Sequence, residues 1–337
     1  MSYSNNFTAL RWIAAGMVLY GHSFALLGLP EPLFLGWAPM GPVGVYVFFS
    51  ISGYLVAQSW ERDPCIFRFL QRRALRIFPG LIVCTLVSVF LLGPLFTSLE
   101  LVDYFRSSRT WGYFSNIRLY ITFYLPGVFE TNPIPNAVNG SLWSLPVEFS
   151  MYLVLALLGF LKIPKAGWVL FAVGLMCVSK LWAMTSPEML VVYGTDLRQV
   201  AICGVYFWVG VLFFRYGISR FISITSIICA IAVWLSLTRW PELFVMASWV
   251  LLPFIALAFG LATSPWLSRM SRLDYSYGIY IYAFPIQQAL ANLDPKMPFW
   301  LYLVLTTVFT LLLAALSWHW VERLALRFKP SSGKGDV

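Results

Sequence analysis

Ten stretches of about 20 mostly apolar residues follow one another along this chain, and that succession governs what it can become. They lie at about 7–29, 40–60, 78–98, 142–161, 166–184, 199–215, 221–238, 243–263, 274–292 and 298–320. At a rise of about 1.5 Å per residue, a helix of that length crosses a hydrocarbon core about 30 Å thick. Breaks are marked by Pro30 and Pro32, Pro64, Pro94, Pro164, Pro187, Pro241, Pro265, and Pro295 with Pro298. Proline has no backbone donor and turns the preceding residue away from helix, so it often sits at such ends. Charged residues make up 11% of the chain, against roughly 25% in soluble domains, which excludes a water-soluble globule. The alternating pattern of a membrane β-barrel is absent. The chain is therefore expected to be all-α, a polytopic integral membrane protein with ten spans. Residues 1–325 form one membrane domain and 326–337 a short tail. The first apolar run has no small-residue cleavage site after it and reads as a retained span.

Basic residues supply an independent check on the count. The net charge of +9 could suggest nucleic acid, but the charge lies between the apolar runs, as orientation signals do. One set of loops holds Arg62, Arg68, Arg72, Arg73 and Arg76, then Lys162 and Lys165, then Arg215 and Arg220, then Arg269 and Arg272. The tail adds Arg323, Arg327, Lys329 and Lys334. Of the opposite loops, the first has no basic residue, the fourth has Arg239 and the fifth Lys296. This bias puts both termini in the cytoplasm. Five cysteines form neither a disulfide framework nor a metal-binding spacing, so no metal is expected.

Ionisable side chains inside apolar segments are costly, which makes the few present here candidates for function. His22 ends the stretch RWIAAGMVLYGH, and Glu148 lies within NGSLWSLPVEFSMY. His22 is about 15 residues into a span that starts inside, roughly 22 Å along it. Glu148 is about 6 residues into one that starts outside, roughly 9 Å. Both are thus expected in the outer half, where a carboxylate could orient the imidazole and strengthen it as a base. Arg68, Arg72 and Arg76 recur every fourth residue along one helical face, with Arg73 beside them. Such guanidinium forks suit phosphate, whether of a ligand or of lipid headgroups. The small residues of GPVGVYVFFSISGYL, among them Gly41, Gly44, Ser50 and Gly53, suit close helix packing. In DYSYGIYIYAFPIQQ, four tyrosines surround a Ser276/Gly278 face. The connection at 99–141 holds Trp111, Tyr113, Phe114, Tyr120, Phe123 and Tyr124 among Arg106, Arg109 and Arg118. Aromatics in this density suit an interfacial belt or a sugar-stacking platform. His319 falls at the inner boundary, far from His22.

In this order the motifs resemble membrane-bound acyltransferase family 3, which includes bacterial O-antigen, exopolysaccharide and Nod-factor O-acetyltransferases. The resemblance spans nearly the whole chain. It is carried by Arg11 and His22, FFSISGYL, RALR followed by Pro79, SLWSLPVEF with Glu148, SYGIYIYAFPI, and Glu322-Arg323. It implies acetyl transfer from acetyl-CoA to the hydroxyl of a glycan or lipid-linked sugar, at a bacterial inner membrane. His22 would be the catalytic histidine, with Glu148 the family's carboxylate. Arg11, Arg73 and Arg76 would serve the acyl-CoA, joined by Arg68 and Arg72. Ser52, Tyr54, Trp143, Ser144 and Tyr277 are expected to line the substrate site. Two departures stand out. Ala283 occupies a position where many members have histidine, and no esterase-like domain is fused to the chain. An exporter of an acylated or anionic small molecule is the competing expectation, since polar spans and a basic inner mouth suit it too.

Overall fold

The computed structural model describes residues 5–185, 190–264, 266–267 and 273–331. Pro187, Pro265, Arg269, Arg272 and Lys334 lie outside the described residues. Ten principal helices fall on the ten apolar segments. They are α1 (Phe7–Ala25), α2 (Met40–Arg62), α3 (Ile66–Val87), α4 (Ser144–Phe160), α5 (Lys165–Thr185), α6 (Leu197–Arg215), α7 (Ile224–Ser236), α8 (Pro241–Leu261), α9 (Ser276–Leu293) and α10 (Phe299–Ser317). Two-residue hairpins at Leu33–Phe34/Ala38–Pro39 and Val191–Val192/Thr195–Asp196 are minor additions. Seven helical stretches are long and apolar enough to cross a membrane by length and composition: those built on α2, α3, α4, α5, α6, α8 and α10. The protein is a polytopic membrane protein. The remaining three are explained by their residues. Helices α1 and α9 carry Arg11 and His22 or Gln287 and Gln288, which lowers their hydropathy, and α7 has only 13 residues.

The largest departure from expectation is α3, which starts at Ile66 rather than near 78. Its continuous helical path runs from Ile66 to Phe96, 31 residues, or about 46 Å. Hydropathy excludes the arginine-rich turns, yet Arg, Gln, Leu and Ala are good helix formers and simply extend the helix beyond the apolar core. Near its far end the helix passes through a π turn at Ser88–Leu92, where the Tyr104 hydroxyl donates to the Val89 carbonyl at 2.9 Å. A second π turn, Trp318–Glu322, prolongs α10.

Glycines set the tightest contacts. A Cβ on Gly53 would collide with the Phe207 carbonyl of α6, and one on Gly210 with the Ser50 carbonyl of α2. The two helices therefore touch backbone to backbone, as small-residue faces permit where lipid offers no hydrophobic drive between helices. Gly44 brings α2 equally close to α1, 2.5 Å from its added Cβ to the Ala14 carbonyl oxygen. The long connection after α3 folds into short helices at Leu101–Arg106 and Ser108–Gly112 and a 3-10 turn at Tyr113–Arg118. It has its own core, built on Val89, Tyr104, Tyr113, Leu125, Val128, Phe129 and Val138. Trp111 stacks on Phe114 beside Phe90 of α3, so much of its aromatic surface serves packing. Asn132 donates to Gln288 Oε1 at 2.7 Å, and Gln288 donates in turn to the Ala137 carbonyl at 2.7 Å, tying the connection to α9.

Gly53→Ala should lower the thermal unfolding midpoint in detergent by an amount equivalent to about 1–3 kcal/mol, the usual cost of overpacking. Gly16→Ala, with no atom within 4 Å of the added carbon, should leave it unchanged.

Candidate active site

A cavity of ≈590 Å³ opens at the arginine-bearing end of the bundle, between α1, α2, α3, α4 and α9, with Trp318, Leu326 and Lys329 completing its rim. Its walls carry Arg11, Arg62, Arg72, Arg73 and Arg76 against Glu148 and Asp274. That is a marked excess of positive charge in a space of ligand size.

The arginine stripe does not act as one clamp. Arg68 makes a paired contact with Asp63, at 2.6 and 2.9 Å, and Arg72 joins the same carboxylate at 2.8 Å. These hydrogen bonds hold the Asp63 carboxyl well below its usual range. The ion pairs stay formed through the ordinary carboxylate range, and their contribution is lost only as pH falls below it. Arg76 and Arg11 converge on Asp274 Oδ2 at 2.7 and 3.0 Å, and Ser276 donates to Asp274 Oδ1 at 2.6 Å. Arg73 alone of the five expected donor-site arginines has no ion pair among the described residues. Its guanidinium lies 5.9 Å from the Tyr152 ring, and its Nε is buried without a partner.

Glu148 Oε1 accepts from Ser52 at 2.7 Å and from Tyr152. The expected pairing of Glu148 with His22 is not made. His22 lies at the level of Gly41, near the opposite end of α2, whereas Ser52 is eleven residues further along, about 16 Å away. The expectation failed because the lead-in to α4 starts near the level of His22 rather than above it. Gly140, where its 3-10 lead-in starts, is packed against Phe284, whose ring meets His22 edge-on at 5.3 Å. Glu148 is therefore counted downward from the depth of His22. His22 Nδ1 is buried with no hydrogen-bond partner.

Of the five expected substrate-lining residues, the cavity gathers Ser52, Ser144 and Tyr277. Ser144 Oγ lies 2.6 Å from the Tyr280 hydroxyl, and Tyr277 donates to the Ile77 carbonyl at 2.7 Å. Tyr54 is not among them: it points to the other face of α2, between Phe7 and Phe214. Trp143 also stays outside, packed into the main core. Between cavity and His22 stand Phe48, edge-on to Tyr280 at 5.8 Å, and Phe284. Val45 and Tyr280, which line the cavity, are each one turn, about 5.4 Å, from Gly41 and Phe284 beside His22.

Asp63, Asp274 and Lys329 had no assigned role in the sequence. An acidic residue directly ahead of an apolar segment was the available signal for Asp274; nothing local marked Lys329. Partial burial, then repulsion by Arg73, Arg76 and Arg11, pushes the Lys329 ammonium down to about 8. Leu326 and Lys329, in the stretch expected as a tail, stand on the cavity rim. His319 Nε2 lies 3.0 Å from the Tyr275 hydroxyl at the same end of the bundle.

Fold and cavity together define a polytopic membrane protein with a cationic pocket entered from one end. A family model described as an acyltransferase domain matches residues 4–319, and the chain belongs to this family, acyltransferase 3. It is similar to the O-acetyl transferase of Shigella phage Sf6, 33% identical over 96% of each chain. It is 30% identical to nodulation protein 10 of Rhizobium leguminosarum bv. viciae, over 98% of this chain and 95% of that one. Peptidoglycan O-acetyltransferase OatA of Listeria monocytogenes is 31% identical over 48% of this chain and 28% of its own length. No solved structure matches.

Asp274→Asn should strip two half-buried guanidiniums of their partner and cost about 3 kcal/mol, read as a lower unfolding midpoint. Asp63→Asn should cost less, because its partner Arg68 is 40% exposed and partly solvated.

Proposed function

We propose that this acyltransferase is an O-acetyltransferase. It takes acetyl from acetyl-CoA on the cytoplasmic face and places it on a hydroxyl of a cell-surface or secreted glycan, in a bacterial inner membrane. The observation that carries the reading is the cationic cavity, whose lining at Val45 and Tyr280 comes within one helical turn of Gly41 and Phe284 beside the half-buried His22. The relatives' names supply the acetyl group and the oxygen acceptor. The positive-inside rule puts the arginine-bearing end, and both termini, in the cytoplasm, with all ten helices crossing the bilayer.

Residue by residue, the fit is specific. Arg73 and Arg62 have no carboxylate partner among the described residues and line the cavity with Lys329. They are free to bind phosphate oxygens, Arg73 through its fork. Arg11 and Arg76 present the guanidinium edges that Asp274 leaves unused. Arg68 and Arg72 act one step back, by fixing the loop at Asp63. Glu148, held by Ser52 and Tyr152, balances Arg73 and shapes the middle of the cavity with Ser144 and Tyr277. A thioester deep in the cavity reaches His22 only when the Phe48, Tyr280 and Phe284 rings give way. His22 then serves the acceptor hydroxyl as general base, or carries the acetyl group transiently. Trapping an acetylated protein with donor alone decides between these two courses.

Deleting the gene should remove the 42 Da acetyl increment, roughly one acetyl for one hydrogen, from the surface glycan, and His22→Ala should not restore it. Arg73→Ala should raise the KM for acetyl-CoA about tenfold or more, as loss of a charged hydrogen bond does. Donor affinity should also fall as pH rises through about 8, where Lys329 loses its proton, and Lys329→Met should flatten that dependence. Isothermal titration with CoA across pH 7–9 checks both (that range being roughly one unit either side of the lysine midpoint).

A further inference from the structure

The loop between α1 and α2 brings a carboxylate, Glu31, to the neighbourhood of His22. Glu31 sits between Pro30 and Pro32, whose rings restrict the backbone on both sides of it. The Pro32 carbonyl accepts from the Met40 N–H at 3.3 Å, closing the loop onto the start of α2. There the Gly41 N–H donates to Glu31 Oε1 at 2.8 Å. Two glycines make room for the carboxylate. A Cβ on Gly21 would collide with Glu31 Oε1, and the same oxygen lies 3.2 Å from the Cβ position of Gly41. His22 Cδ2 lies 3.9 Å from that same point. The carboxylate and the imidazole therefore flank one small space at the outer end of α2.

What Glu31 lacks is as informative as what it has. No cation forms an ion pair with it among the described residues. Among the described residues its one hydrogen bond uses Oε1, which leaves the lone pairs of Oε2 uncommitted there. Oε1 and the Cδ2 edge of the imidazole face the same point above Gly41, while Nδ1 is buried with no partner among the described residues. Glu31 therefore does not orient the ring through Nδ1. A carboxylate with an uncommitted oxygen, sharing one small space with the imidazole, is placed to accept from a hydroxyl that lies against both.

We propose that Glu31 is an acceptor-binding residue. Oε2 takes a hydrogen bond from a sugar hydroxyl, and this holds the glycan with its reacting hydroxyl against His22. Glu31 binds rather than reacts, at the positive end of α2. The assignment rests on the reading of His22 as the group that serves the acceptor. It gives the outer side a recognition element, as Arg73 and Lys329 give the inner side one.

The rival role is a helix cap and nothing more. Glu31→Gln separates them, because its amide oxygen still accepts from the Gly41 N–H while the charge is gone. The measurement uses membranes containing the full chain, radiolabelled acetyl-CoA, and oligosaccharide from the deletion strain's own surface polysaccharide, stripped of acetyl by alkali. E31Q is expected to accumulate normally and to raise the KM for the oligosaccharide about tenfold, with the KM for acetyl-CoA unchanged. An unchanged oligosaccharide KM overturns the proposal, and so does an equal change in both constants with reduced protein in the membrane. H22A is measured in parallel and is expected to abolish transfer. If H22A transfers normally, the histidine reading falls, while the E31Q constants still decide whether Glu31 binds the acceptor.

Discussion

One carboxylate holds the donor end of this protein together. Asp274 accepts from Arg11 of α1 and Arg76 of α3 while it sits at the head of α9 beside Ser276. Three helices that no short loop joins are thereby pinned at a single point, where two guanidiniums would otherwise repel each other. Burying a charge without a partner costs several kcal/mol, so the cluster is stable only as a unit. The cavity exists because this clip keeps the helix ends at a fixed spacing. Asp63 does similar work for the loop between α2 and α3 by gathering Arg68 and Arg72.

That division of labour explains why so many arginines occur in so little sequence. Four of the guanidiniums near the mouth are spent wholly or partly on two aspartates, and they build walls. Arg73, Arg62 and Lys329 have no ion pair among the described residues, and the ammonium of Lys329 is pushed down first by burial and then by the neighbouring guanidiniums. On the proposed reading, the phosphates of acetyl-CoA would supply the negative charge that these side chains leave room for.

The helical skeleton was open to reading from sequence because it rests on local properties: length, hydropathy and proline breaks. Each of the ten apolar segments carries a helix, although α3 begins twelve residues early. Depth was harder. The level of Glu148 depends on where Gly140 meets Phe284, a contact between residues far apart in the chain, and counting from an assumed surface put the carboxylate beside the wrong partner. Helical spacing showed that Arg68, Arg72 and Arg76 share a face but not which were already paired, since Asp274 is nearly two hundred residues away from Arg76. Tyr54 was misplaced because it adjoins Ser52 and Gly53, and on a helix neighbours in sequence look in different directions. Glu31 escaped notice as one acidic residue in a proline-rich loop.

The π turn at Trp318–Glu322 gives the C-terminal end of the chain its address. Each π turn accommodates one more residue than an α turn, so every side chain beyond it is rotated by about 100° relative to an uninterrupted helix. Lys329, beyond that offset, reaches the rim of the cavity, and Trp318, where the turn begins, lines its wall. The cavity's lysine is therefore positioned in part by a counting irregularity in the helix. Length differences of a single residue in this short stretch are a direct route by which related chains can acquire or lose a basic rim while every other wall stays the same.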